Sequence, residues 1–396
     1  MPLSRARLFA IPVVGYALHL IWALLRLPRN DDRIRELRQA VADLQTQGPA
    51  AAPPAASEPP EVTADAVERV YTALLGRPPE VPGNRANTSV LDFCLSVATS
   101  EEHKQLVADE VMRARGQALQ ISKTTLGYMI THSQDRVIGQ MLRFHETFEE
   151  SDIRMVLGFI ANTDGPVDKG IFLDIGANIG THGLHALSEG FAQVIALEPD
   201  PTNFRMMRAN QILNGKDTQV LNICAAASDA DATGTLEQSD ENFGDHRVQL
   251  QTGGTELYEE SQRETQQIRL ARLDTLLAEA GIAPEALSLA WIDTQGHEGQ
   301  VLSGADTLLA AGTPMVMEFW PYGLARADGY PKLRAALNTG QRLYDLREIK
   351  EAGTARVMDI AALDALYAHL LQQETDAQGA DGPVYTDILV LKPKTS

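Results

Sequence analysis

Cysteine is nearly missing from this chain. Cys94 and Cys224 are the only two in 396 residues. They form no metal-ligand spacing and no disulfide framework, which fits a reducing compartment. Positive charge is scarce as well. The formal net charge is -19. The first 60 residues hold seven Arg against five acids, while the remaining 336 hold 27 bases against 48 acids. A body that acidic suits a nucleic-acid backbone poorly, because such binding needs many Lys and Arg contacts. RNA and DNA are therefore disfavoured as partners. A third absence is a small-residue cleavage site after the one long apolar run, which argues against a removed secretory peptide.

That run is residues 8–25, eighteen positions apolar except for His19. The length sits at the lower bound for a spanning helix. Arg5 and Arg7 precede it; Arg26, Arg29, Arg33, Arg35 and Arg38 follow it. The heavier C-terminal Arg count predicts a membrane anchor over 1–30, in the inner (cytoplasmic) membrane, with the body facing the cytoplasm. Pro12, Gly15 and His19 leave a helix lying in the membrane interface as the competing reading. A buried core helix is a weaker third.

Residues 31–60 read as a short helix and a linker. Ile34, Leu37, Val41 and Leu44 form one apolar stripe, which could begin a coiled coil and a homodimer or be a plain surface helix. Gly48 to Pro60 is rich in Ala and Pro and reads as extended. Residues 61–117 read as a helical module, with Val67, Val70, Tyr71, Leu74 and Leu75 at helical spacing and Gly76 and Pro78 as stops.

From residue 118 to 396 the pattern is α/β. Strand candidates are 171–174, 193–197, 219–224, 287–292, 314–318, 342–346 and 385–392. Helical patterns between most of them predict a doubly wound, mainly parallel seven-stranded sheet. The last run has no helix after it and is the candidate for an antiparallel strand near the sheet edge.

Within this domain lies Leu-Asp-Ile-Gly-Ala-Asn-Ile-Gly, residues 173–180, followed by Glu198 in Val-Ile-Ala-Leu-Glu-Pro. A buried strand, a glycine turn, a helix and a second strand ending in an acid make one half of a nucleoside-binding fold. Dinucleotide enzymes use Gly-x-Gly-x-x-Gly to bring a pyrophosphate to a helix N-terminus. Here Gly176 and Gly180 have three residues between them, and Asp174 precedes them. A carboxylate repels pyrophosphate but attracts the ammonium and sulfonium of S-adenosylmethionine. The loop therefore favours that cofactor over NAD. A glycine turn with no ligand is the bland alternative.

The ordered motifs resemble the FkbM family of S-adenosylmethionine-dependent methyltransferases. They are Asp135 in His-Ser-Gln-Asp-Arg-Val-Ile, Phe144 to Glu149, Asp174 to Gly180, Glu198-Pro199, Ala225 to Asp229, Arg272-Leu-Asp274, Trp291 to Gly304, and Met317 to Pro321. The resemblance covers most of 118–396 and implies a class I methyltransferase (Rossmann-like) fold. One departure is visible: the family usually carries Lys where this chain has Trp291. Residues 71–79, Tyr-x-x-Leu-Leu-Gly-Arg-x-Pro, resemble a small helical module found beside glycan-active enzymes.

Ligands of open α/β sheets bind beyond the carboxyl ends of the strands. Asp174, Glu198, Ala225, Asp293 and Glu318 all sit at such ends. Glu198, with Pro199, is the expected ribose acceptor. Gly176, Ala177, Asn178 and Gly180 are expected to line the methionine part, and Ala226 to Asp229 to edge the adenine, with Asp229 near its amino group. Methylating a hydroxyl needs a base, for which Asp293, His297 and Glu298 are candidates. An exposed loop histidine is the alternative for His297, and a helix first-turn acid for Glu298. His182 and His185 are three apart but lack a third ligand, so no metal is expected. Together these imply methyl transfer from S-adenosylmethionine to a hydroxyl of a small molecule, sugar or glycan at the membrane face. The rivals are a non-catalytic binding module of the same fold, a scaffold protein and an NAD-dependent enzyme.

Overall fold

A computed structural model describes residues 119–249, 256–258, 260–379 and 382–393, with isolated positions between 63 and 100. The chain separates into two compact units, Met1–Val111 and Met112–Ser396. The anchor of 1–30, the stripe and the linker lie outside the described residues, as does most of the expected helical module. Among described positions of the first unit, Val67, Phe93 and Val97 are buried. The rings of Tyr71 and Phe93 stack with centroids 6.2 Å apart. Among the described residues, no helix is long and apolar enough to cross a membrane.

The second unit carries thirteen strands: β1 (Leu119–Thr124), β2 (Gly127–His132), β3 (Ile171–Ile175), β4 (Gln193–Leu197), β5 (Val220–Ile223), β6 (Ala226–Ser228), β7 (Ala232–Gln238), β8 (Arg247–Val248), β9 (Glu264–Arg272), β10 (Leu287–Ile292), β11 (Met315–Phe319), β12 (Arg342–Asp345) and β13 (Thr386–Leu391). The main sheet runs β12-β13-β11-β10-β3-β4-β5. All seven anticipated strands are there, each end within a residue of its expected place. Pairings from β11 through β10, β3 and β4 to β5 are parallel. These strands are apolar on both faces because helices cover both sides. β13 runs antiparallel to both neighbours and is inserted between β11 and β12. The two faces bury separate apolar clusters, one around Leu173, Ile195 and Phe319 and one around Phe172, Val194 and Trp291.

Six further strands were not anticipated from the sequence. β1 and β2 form a hairpin whose outer edge is paired by side chains in place of a strand. Asn210 and Asn214, from the helix Pro201–Leu213 and its end, exchange hydrogen bonds with the backbone of Ile130 and Tyr128. A smaller sheet runs β6-β9-β7-β8. Its long strands β7 and β9 are polar and half exposed, so they carry no buried apolar run to mark them.

Strand order reverses at β3. From there the chain builds outward through β4 and β5 on one side, and through β10 and β11 on the other. The crevice at that switch is where the fold offers a ligand space.

Candidate active site

A cavity of about 290 Å³ opens at the carboxyl ends of the switch-point strands. Its first wall is the loop after β3. Gly176 holds φ at 86°, a left-handed value that disfavours a side chain. A Cβ there would lie 1.7 Å from the carbonyl oxygen of Asp293, so only glycine lets the ends of β3 and β10 meet. The amides of Gly176 and Ala177 donate to Leu197 O at 3.0 and 2.9 Å. The Asn178 amide donates to Glu198 Oε2 at 2.8 Å. These three donors therefore hold the loop and are not free for a ligand. The first-turn amides of Thr181 and His182, both cavity-lining residues, are what this loop offers an anion.

Glu198 lines the cavity just past β4. Its Oε1 accepts from the Asp200 amide at 2.7 Å. Burial, with Asp200 and Asp174 nearby, pushes its carboxyl up to about 8. Asp200 caps the following helix by accepting from the Thr202 and Asn203 amides. Asn203, in that first turn, also lines the cavity and was not anticipated. Its Nδ2 donates to Phe243 O at 2.9 Å, while its buried Oδ1 has no partner. Pro199-Asp200-Pro201 marks a helix start, and that was the available signal. Phe243 O also accepts from Asn178 Nδ2 at 2.7 Å, which ties the segment after β7 over the cofactor-side loop. Between these walls, Ala225, Ala226, Ala227, Leu236 and Val248 make an apolar slot.

The other side belongs to β10, β11 and β13. Asp293 follows β10, and its amide donates to Ile175 O at 2.9 Å. Gln295 Nε2 bridges Asp293 Oδ1 at 2.7 Å and both carboxylate oxygens of Glu318 at 3.0 and 3.1 Å. Burial holds Asp293 up at about 6. Glu318 is pushed well above the usual carboxylate range, by burial first and then by Asp293, Glu298 and Asp387. Asp387 sits opposite Glu318 across the antiparallel pair, and burial beside Glu149 lifts it to about 7. The His182 ring packs at a tilt against Trp291 with centroids 4.8 Å apart. Its Nε2 lies 2.9 Å from Glu149 Oε2. Burial opposes its charge, but Glu149, Asp174 and Asp293 outweigh that and raise His182 to about 9. Trp291 packs in the core and also lines the cavity.

The remaining anticipated residues fall in different places. Gly176, Ala177, Asn178, Glu198, Pro199, Ala226, Asp293 and His297 line the cavity. His297 is 2% exposed rather than an exposed loop residue. Its Nε2 lies 3.0 Å from Ser228 Oγ, its Nδ1 has no partner, and burial lowers it to about 4. Asp174, Gly180, Asp229 and Glu298 stand behind the lining. Asp174 faces the helix beneath, accepting from the Gly183 amide at 3.0 Å. Gly180 opens that helix with φ at 90°. Glu298 Oε1 accepts from the Thr294 amide and hydroxyl at 2.9 Å and from the Gly296 amide at 3.3 Å, so it shapes the turn holding Gln295. Asp229 does not edge the slot; β6 ends at Ser228, and Asp229 pairs with Lys332 at 2.7 Å. His185 Nε2 donates to Phe148 O at 3.0 Å. Among the described residues, no group of His, Cys, Asp and Glu is arranged to hold a metal ion.

Residues 174–338 match the methyltransferase FkbM domain. That FkbM stretch holds the glycine loop, Glu198 and Asp293, while Glu149, Tyr385 and Asp387 lie outside it. No curated protein matches the chain. Among solved structures, the methyltransferase FkbM from Methylobacillus flagellatus KT is similar at 16% identity and a TM-score of 0.28, covering 59% of this chain and 52% of that one. The chain thus spans about half the length of that protein. The SAM-dependent methyltransferase from Agrobacterium tumefaciens is similar at 11% identity and a TM-score of 0.34, covering 70% and 71%.

Proposed function

We propose that this protein transfers a methyl group from S-adenosylmethionine to a hydroxyl of a small molecule, sugar or glycan. The observation that carries this reading is the meeting of Glu198, the Gly176–Gly180 loop and Asp293 on one cavity at the strand-order switch. The residues fit the cofactor. Glu198 is placed for ribose hydroxyls, whose donation favours its charged form. The alanine-floored slot suits a flat adenine, and the partnerless Asn203 Oδ1 can accept from a ribose or adenine donor. The amides of Thr181 and His182 suit a carboxylate. Among the described residues, the cavity lining includes no Lys or Arg, which disfavours the pyrophosphate of NAD.

When bound, the cofactor supplies a methyl already activated on a sulfonium, so the protein mainly has to align and deprotonate the acceptor. Asp293 is the base in this reading. A carboxyl raised to about 6 is a better base than one at its usual value, and Gln295 fixes its orientation. His297, lowered to about 4, is the weaker base; it and Ser228 form the neutral wall beside the turn. Glu298 positions that turn. The apolar run of 8–25 would hold the body at the cytoplasmic membrane face, within reach of lipid-linked or envelope acceptors.

The test is transfer of radiolabelled methyl groups to cell-envelope extracts. Label should appear with the wild-type protein and vanish with Asp293→Asn. Cofactor binding with no label transferred would instead point to a non-catalytic module.

A further inference from the structure

The acceptor side of the cavity carries a charge pattern that narrows the acceptor itself. Three carboxyls face this side from separate elements: Glu149 before the helix Glu150–Asp164, Glu318 on β11 and Asp387 on β13. Asp293 closes the group. Among the described residues, the two nearest cations are already engaged. His182 is bound to Glu149 at 2.9 Å. Lys350 sits 2.7 Å from Asp152 and 3.9 Å from Asp387, and it is not part of the lining. Gln295 is a neutral donor spanning Asp293 and Glu318. Trp291 and Tyr385 add aromatic surface. His297 lines the same cavity, is 2% exposed, and has a partnerless Nδ1.

Carboxyls gathered on one cavity wall repel one another unless something compensates them. A metal ion does not fit the spacing among the described residues. A phosphate would face carboxyls with no Lys or Arg among the described lining residues. An organic ammonium fits: its three donors spread over several acceptors, and aromatic faces attract it. From this arrangement, and resting on the methyl-transfer reading, we infer that the acceptor bears an ammonium group beside its methylated hydroxyl. The ammonium seats among Glu149, Glu318 and Asp387, and no phosphate enters the cavity. The raised carboxyls of Glu318 and Asp387 agree, since they mark sites where a missing positive charge would be stabilising. An amino sugar or other amino alcohol has this chemistry.

The test uses protein preloaded with S-adenosylhomocysteine and three matched probes: serinol, glycerol and glycerol phosphate. Calorimetry should show serinol binding roughly tenfold or more tighter than glycerol, with glycerol phosphate weakest. Combining Glu318→Gln with Asp387→Asn should erase that preference while S-adenosylhomocysteine still binds. Glu149→Gln, outside both strands, should weaken serinol in the same direction and guards against a double variant that does not fold. Glycerol or glycerol phosphate equalling serinol, or a preference surviving the substitutions, would overturn the inference and leave the methyl-transfer reading standing. Failure of S-adenosylhomocysteine to load would remove both.

Discussion

The two sides of the cavity are made of different material. The β3–β4 side is built from backbone: amides of Gly176 and Ala177 on Leu197 O, and the Asn178 amide on Glu198. The β10–β11–β13 side is built from side chains: Asp293, Gln295, Glu318 and Asp387. A backbone-built wall tolerates little change, because altering one residue moves the loop. A side-chain-built wall can be rewritten one residue at a time. The first material suits a ligand of fixed shape, and the second a ligand chosen by a few side chains.

The largest expected effect tests the rigidity of the first wall. Gly176→Ala forces a Cβ to 1.7 Å from Asp293 O at a left-handed φ. It should cost about 3–5 kcal/mol in denaturant unfolding. A stable Gly176→Ala protein would mean the loop is not held as described. Next comes the second wall. Asp293→Asn keeps the shape and should lower the methyl-transfer rate by about 100- to 10,000-fold. Its affinity for S-adenosylhomocysteine should change by less than roughly tenfold. Equal losses in both quantities would erase the division between the two sides.

A pH series touches both sides at once. Glu198 goes from its ordinary 4.5 to about 8 on folding, so the stability of its buried neutral form is lost as pH rises through 8. His182 goes from 6.5 to about 9, so its ion-pair stability is complete below 6.5 and lost as pH rises through 9. Both signs agree. The thermal midpoint of the free protein should fall between pH 6.5 and 9. Bound S-adenosylhomocysteine should make the fall shallower, because ribose hydroxyls favour the charged Glu198. The smallest effect lies outside both walls. Lys332→Ala breaks a half-exposed pair with Asp229 and should cost under about 1 kcal/mol. Cofactor affinity should stay unchanged, as Asp229 is off the lining.

The same contrast explains what could be read from the sequence. Glu198 and Gly176 were legible because strand, turn and acid follow one another along the chain. Asp293 was legible because it ends a buried strand. Glu149, Asn203, Asp387 and Tyr385 were not singled out, because topology rather than local pattern brings them to the cavity. Asp387 reaches Glu318 only through the antiparallel insertion of β13. Asp229 misled for the opposite reason. It follows the correct strand-end run, but β6 ends one residue before it and the side chain turns to Lys332. The strands of the smaller sheet were missed because a half-exposed polar strand such as β7 leaves no apolar signature.

One calorimetric experiment tests the central claim most directly: titration of S-adenosylmethionine and, separately, NADH into the wild-type protein and into Glu198→Gln. The account predicts that S-adenosylmethionine binds the wild type, that Glu198→Gln weakens it by roughly 10- to 100-fold, and that NADH does not bind. Binding of NADH in place of S-adenosylmethionine, or S-adenosylmethionine affinity indifferent to Glu198→Gln, would contradict it.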